Sequence, residues 1–251
     1  MTPAAQHRLL DDLRDRIRNL DGSEMREKAV LPFGLSGIDE HLPGGGLALG
    51  ALHEVTGAQG DLSFGAAAAL FVAGILARLD GPVLWVVKQP DLFAPGLAGA
   101  GVHPDRVIYA EAGDTKTLLL VMEEGLKQAG LSAVVGEVDR LSMAASRRLQ
   151  LAAERSGVMA LVLRRWPFAP SRWSEGDTAA LTRWRIGAEP SASLPAPGIG
   201  RARWALDLMR CRNGEAKSWI VEAADAQGHL ALPADLRDRP AAPRAPRRRA
   251  A

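Results

Sequence analysis

The sequence predicts an α/β fold: a mainly parallel central sheet flanked by helices, extended by antiparallel strands toward the C-terminal end and preceded by an amphipathic helix. Three observations carry this. Between residues 52 and 163, short and continuously apolar runs alternate with longer helix-like stretches, as in a parallel sheet covered on both faces. A glycine-bearing loop joins the first of these runs to the first long helix. Beyond residue 163 apolar residues recur at every second position, which marks strands with one wet face.

The elements follow in order. Leu9, Leu10, Leu13, Ile17 and Leu20 recur at helical spacing, with Arg14, Asp15, Arg16 and Arg18 on the other faces. Residues 1–30 therefore read as an amphipathic helix that packs on the domain or meets a partner. Residues 31–46 are turn-rich, with a short helical piece at 36–40 and a relaxed backbone at Gly44, Gly45 and Gly46. Strands are expected at 52–55, 83–87, 107–109, 133–135 and 158–163, and helices at 65–79, 92–100, 115–129 and 142–155. Asp114 and Ser142 stand where N-caps belong, and Asp91 is placed to cap a helix as well. Trp204, Leu206 and Leu208 alternate with Arg203, Ala205 and Asp207; this strand, with 181–186 and 218–222, forms the antiparallel extension. The Pro, Ser and Gly content of 188–200 reads as a loop. Residues 31–236 make the core domain, and the basic Pro/Arg tail 237–251, ending in Arg247, Arg248 and Arg249, is too poor in apolar residues to order itself.

With 251 residues, 47% of them apolar, the chain can bury one sizeable core. Its single cysteine, Cys211, excludes an internal disulfide and reads as a small buried hydrophobe of a protein kept reduced. There is no Cys/His cluster for a metal, no apolar core like that of a signal peptide in the first 20 residues, and no long apolar run, so a soluble cytoplasmic protein is expected. A net charge of +2 gives no general affinity for DNA, but arginines gather between Arg164 and Arg212 and at the C-terminal end.

The loop after the first apolar run, Thr56-Gly57-Ala58-Gln59-Gly60-Asp61-Leu62-Ser63-Phe64-Gly65, has the strand, glycine loop and helix order of a phosphate-binding P-loop. With Gly57 as the first glycine, the second falls at Leu62, the lysine at Ser63 and the Ser/Thr at Phe64. The frame is present and the ligands are missing. Without the ammonium no point charge reaches a terminal phosphate, and a phenyl ring cannot hold magnesium. Gly57, Gly60 and Gly65 still permit a tight turn at a helix N-terminus, which leaves weak ATP or phosphate binding open.

The order of elements resembles the RecA-type recombinase core over residues 31–234, and within it the chain is most similar to the ImuA family of translesion mutagenesis accessory proteins, which also resembles the division inhibitor SulA. The resemblance rests on Leu31-Pro32-Phe33-Gly34 with Asp39, the run Gly44-Gly45-Gly46, His53-Glu54-Val55-Thr56-Gly57, and Leu163-Arg164-Arg165-Trp166-Pro167. It implies two further departures from a working ATPase. Where a RecA-type enzyme keeps a glutamate to polarise water after the strand 83–87, this chain has Lys88-Gln89-Pro90. The strand in the Walker B place ends in Glu137, with Asp139 nearby, and a lone carboxylate rarely retains magnesium. A pseudo-ATPase with no cofactor is expected.

The resemblance further implies an accessory role in SOS-induced translesion synthesis beside ImuB and an error-prone replicative-type polymerase, with RecA as a further contact. A SulA-like inhibitor of cell division is the alternative, and a DNA-stimulated ATPase a third reading. Loss of the ATP site, which lies between subunits in RecA-type filaments, points to a monomer or a hetero-complex, nucleoid-associated after damage. Arg164, Arg165, Trp166, Arg172 and Trp173 mix cations with rings in the stretch where RecA-type cores bind DNA, and suit single-stranded DNA or a protein partner equally. Trp184 and Trp204 fall on core phases of their strands, and His53, inside a strand, reads as hydrogen-bonded structure.

Overall fold

The central sheet grows around runs such as Val83–Val87, apolar at every position and so covered on both faces. The computed structural model describes residues 29–58, 62–165, 177–191 and 197–233. Of the helix expected over 1–30, residues 1–28 lie outside the described residues and Val30 belongs to a strand; Gly60, Trp166, Arg172, Trp173 and the tail with Arg247, Arg248 and Arg249 also lie outside the described residues. In order, the elements are β1 (Val30–Leu31), α1 (Ser36–Asp39), β2 (Leu47–Ala48), β3 (Leu52–Gly57), α2 (Leu62–Ala77), β4 (Val83–Val87), α3 (Ala94–Gly99), β5 (Val107–Glu111), α4 (Thr115–Leu126), β6 (Ala133–Val138), α5 (Met143–Ser156), β7 (Met159–Arg164), β8 (Thr182–Glu189), β9 (Arg203–Cys211) and β10 (Lys217–Glu222).

Eight strands form the main sheet in the order β10-β9-β8-β3-β7-β6-β4-β5. Pairing is parallel from β8 through β5 and antiparallel for β8 with β9 and β9 with β10. The strand expected at 181–186 is thus the joint of the sheet rather than part of a purely antiparallel extension. Alternation along the strands sorts the core into two layers. Val55, Trp85, Val135, Leu161, Trp184 and Leu206 face α2, whose Phe71, Val72, Ile75 and Leu76 are buried against them. Leu52, Val86, Val134, Ala160 and Val162 face α4 and α5 through Leu118, Met122 and Leu149. Trp184 and Trp204 are buried on the first of these faces, as their phases require.

Local chemistry sets the ends of the helices. Asp114 accepts from the N–H groups of Lys116 and Thr117 to start α4, and Ser142 accepts from Ala145 N to start α5. Gly157, at φ 80°, closes α5 in the left-handed conformation open to glycine. Among the helices, the start of α2, the end of α4 and the cap of α3 differ from the sequence reading. α2 begins at Leu62, so Ser63 and Phe64 lie in its first turn rather than in a loop. α4 ends at Leu126, where Gly130 lies just beyond. α3 is capped by Phe93 without any side-chain bond, so Asp91 is not its N-cap.

The β1–β2 pair was not expected, because two-residue strands carry no periodicity. The turn after β1 is held by Asp39, whose carboxylate accepts from Phe33 N at 2.7 Å, Gly34 N at 2.9 Å and Leu35 N at 3.1 Å. Gly46 passes so close to Leu31 that an added Cβ would stand 2.6 Å from its carbonyl oxygen.

Candidate functional site

The C-terminal ends of β3, β4, β6 and β7 converge on one rim of the sheet, beside the start of α2. This is the place a P-loop fold gives to nucleotide. β3 comes close to the start of α2: at Gly57 an added Cβ would lie 2.8 Å from Phe64 C, so only glycine allows that approach. The residues do not fit the ligand, however. Ser63 stands where the lysine belongs, and Phe64 brings a half-buried ring with no oxygen for a metal.

Across the rim, the polar groups satisfy one another. Lys88, following β4, binds Asp139 at 2.6 Å. Arg165, following β7, makes a two-pronged pair with Asp91, Nη1 to Oδ1 at 2.6 Å and Nη2 to Oδ2 at 2.9 Å. The same Nη1 reaches Glu137 Oε2 at 2.6 Å. The other oxygen of Glu137 accepts from Trp85 Nε1 at 2.8 Å, so both oxygens are engaged and the side chain is buried. Burial opposes the charge of Arg165, but its hydrogen bonds to Asp91 and Glu137 outweigh that and raise its pKa above the usual guanidinium range. Glu137 is therefore the partner of an arginine and an indole, with neither oxygen left free to lead a magnesium site.

A second charged cluster lies on the opposite face of the same strands. Glu54, in the middle of β3 and wholly buried, sits 3.7 Å from Arg164 Nη1 and 3.5 Å from Arg183 Nε, and accepts from the Thr178 hydroxyl. Burial lowers the pKa of Arg164, and Glu54 counteracts it. Arg183 and Arg210 also bind Thr178, at its hydroxyl and carbonyl. His53, next to Glu54 on β3, points the other way, bonded to Thr182 Oγ1 at 2.7 Å and Ala48 O at 2.9 Å. Burial pushes its pKa down to about 4, so it is neutral structure and not an acid–base group.

The candidate residues are thus divided. Arg164 is the last residue of β7 and only 8% exposed, and Arg165, just past the strand, is paired with two carboxylates. Sequence reading grouped them because they are adjacent, whereas strand alternation sends them to opposite faces. It missed Asp91, Trp85 and Glu54 as their partners, since the only available signal was charge or ring type at a strand position. The residues of the Leu31-Pro32-Phe33-Gly34 and Asp39 signature form the turn described above, where Arg78 also binds Pro32 O and lies 5.2 Å from the Phe33 ring centre. Among the described residues no group of His, Cys, Asp and Glu is arranged for a metal, and no helix is long and apolar enough to cross a membrane.

Known proteins agree with this architecture. The chain is 42% identical over 209 residues to Protein ImuA of Caulobacter vibrioides strain NA1000 / CB15N, covering 80% of this chain and 85% of that protein. It belongs to the ImuA family. Protein ImuA of Caulobacter vibrioides strain ATCC 19089 gives the same identity and coverage. No protein-family model matches the sequence. Among solved structures, the crystal structure of the RadB recombinase aligns with a TM-score of 0.55 at 17% identity, over 81% of this chain and 100% of that one. The fold of this ImuA-family chain is RecA-like.

Proposed function

We propose that this chain is a non-hydrolysing accessory protein of SOS-induced, error-prone translesion DNA synthesis, acting with ImuB and an error-prone replicative-type polymerase. Membership of the ImuA family supports the pathway. The observation that carries the non-enzymatic part is the rim itself: Lys88 and Arg165 engage Asp139, Asp91 and Glu137, so the carboxylate in the Walker B place is paired with an arginine where a metal would be held. A frame so neutralised keeps its surface and gives up phosphoryl transfer. The segment with Trp166, Arg172 and Trp173 and the tail arginines Arg247, Arg248 and Arg249 remain candidate contacts for single-stranded DNA or for protein, RecA included. The protein acts in the cytoplasm as a monomer or within a hetero-complex.

The test has two arms. Purified protein is expected to show no ATP turnover, with or without single-stranded DNA. The paired change Ser63→Lys and Phe64→Thr, which supplies the two missing P-loop side chains, is expected to leave it inactive because Lys88 and Arg165 still hold the carboxylates. Turnover by the wild type would sink the non-enzymatic reading. Deletion in the host is expected to abolish ultraviolet-induced mutation at normal cell length. Unchanged mutation frequency with loss of damage-induced filamentation would instead indicate a division inhibitor.

A further inference from the structure

Residues 1–28 join the described part of the chain at Ala29, whose surroundings fix where they enter. Ala29 O accepts from Leu49 N at 2.8 Å, which extends the antiparallel β1–β2 pair by one residue. In an antiparallel pair the chain reaches the first strand at the end where it leaves the second. It leaves β2 through Gly50, which lies against the C-terminal end of α5: an added Cβ at Gly50 would stand 3.0 Å from Gly157 Cα and 3.1 Å from Ala153 O. Residues 1–28 therefore enter beside the last turn of α5. A groove of about 370 Å³ opens there between α4 and α5, with Lys127 on one wall and Leu151, Arg155 and Ser156 on the other.

The groove holds apolar surface in water. Leu151 of α5 is 52% exposed, and Leu120, one turn before Glu123 on α4, is 48% exposed. Half-buried Leu119 and Ala152 continue this surface into the core. One exposed leucine is ordinary, but two beside one groove make a patch that calls for a cover. The segment entering beside it carries the complement, since Leu9, Leu10, Leu13, Ile17 and Leu20 recur at helical spacing and Gly22 stands where such a helix would end. A helix this short is marginal by itself and is stabilised by packing its apolar face. The lengths agree: residues 9–20 make a helix of about 18 Å against about 21 Å for the 14 residues of α5. Residues 21–28 reach up to about 26 Å when extended, more than the length of α5. Charge is mixed on both sides. The two helices with Lys127 carry five cations and three acids, whereas residues 9–21 carry three cations and four acids, so the small imbalances are opposite in sign and the leucines decide the fit. We propose that residues 9–20 form a helix docked in the α4/α5 groove of their own chain, covering Leu120 and Leu151. A linker this short keeps the helix at about millimolar effective concentration, which favours its own groove over that of a second copy. The docked helix is then part of the domain, and the α4/α5 face is closed to other proteins. This assignment does not rest on the accessory role proposed above.

Hydrogen exchange on the full chain tests it, with molar mass measured by light scattering on the same samples. In the wild type, the amides of residues 9–20 are expected to be protected to an extent that dilution does not change. Leu151→Asp should lower that protection at least about tenfold, the effect of losing one buried leucine, while the amides of β3, β6 and β7 keep theirs. Ile17→Asp, which changes the helix instead of the groove, should give a similar loss, and the two changes together should add little more, because both act on one contact. Ile220→Asp, at a 45% exposed site on β10, should leave residues 9–20 protected. Unprotected exchange over 9–20 in the wild type overturns the proposal. Protection that survives both Leu151→Asp and Leu120→Asp places the helix elsewhere and overturns it too. Protection that falls on dilution as a dimer dissociates assigns the groove to the helix of a second copy, with the same result. Should Leu151→Asp fail to fold, Leu120→Asp and Ile17→Asp carry the same test.

Discussion

Arg164 and Arg165 are neighbours in the chain, and the sheet divides them. Arg164 turns to the α4/α5 face and meets Glu54 in a cluster closed on all sides; Arg165 turns to the α2 face and meets Glu137 and Asp91 at an open rim. The first cluster is a matter of folding, because a wholly buried carboxylate is tolerable only with its cations beside it. The second trades some burial for position, holding a surface turn by charge-assisted bonds that water can still reach. One dipeptide therefore serves the interior on one side and a surface turn on the other.

The largest expected effect tests the closed cluster. Glu54→Leu removes the carboxylate shared by Arg164 and Arg183 and should cost roughly 3–5 kcal/mol in chemical denaturation, in line with breaking a buried ion pair. A loss below about 1 kcal/mol would show that the face tolerates water and that the two clusters are alike.

The next effect is one of pH. His53 is held near a pKa of 4 when folded against 6.5 for the free side chain, so the unfolded chain binds a proton that the folded chain refuses. Its contribution is fully present above pH 6.5 and is lost as pH falls toward 4, amounting to roughly 3 kcal/mol at about 1.4 kcal/mol per pKa unit. Denaturation curves between pH 7.5 and 4 should therefore be steeper for wild type than for His53→Gln. Parallel slopes would remove β3 as the acid-sensitive part of the molecule.

The smallest effects belong to the rim. Arg165→Gln should cost about 1–3 kcal/mol, because Glu137 then keeps only Trp85 as a partner. Lys88→Met, which breaks a pair that is 30% and 45% exposed, should change stability by less than about 1 kcal/mol. A rim variant as damaging as Glu54→Leu would erase the contrast drawn between the two faces.

What the sequence made legible follows from range. Strand phases put Trp184 and Trp204 in the core, and Asp114 and Ser142 announced their helices, because each of these signals is local. The loop at Gly57 could be seen to lack its ligands for the same reason. The pairs that replaced them could not be seen. Arg165 finds Asp91 74 positions away, and Trp85 finds Glu137 at a separation of 52, distances over which only the assembled sheet brings residues together. Sequence reading groups Arg164 with Arg165 in a loop, but β7 runs one residue past the last apolar one and takes Arg164 into the strand.

The position of β3 in the sheet also bears on how the protein is made. β3 lies between β7 and β8, which emerge from the ribosome about 100 and about 130 residues after it. At roughly 5–20 residues per second, this central strand waits on the order of 5–20 s with neither edge paired. Synthesis thus passes through an interval in which the future centre of the molecule is its most exposed and association-prone part. Chains that stall or are cut before β8 are the ones most in need of a chaperone.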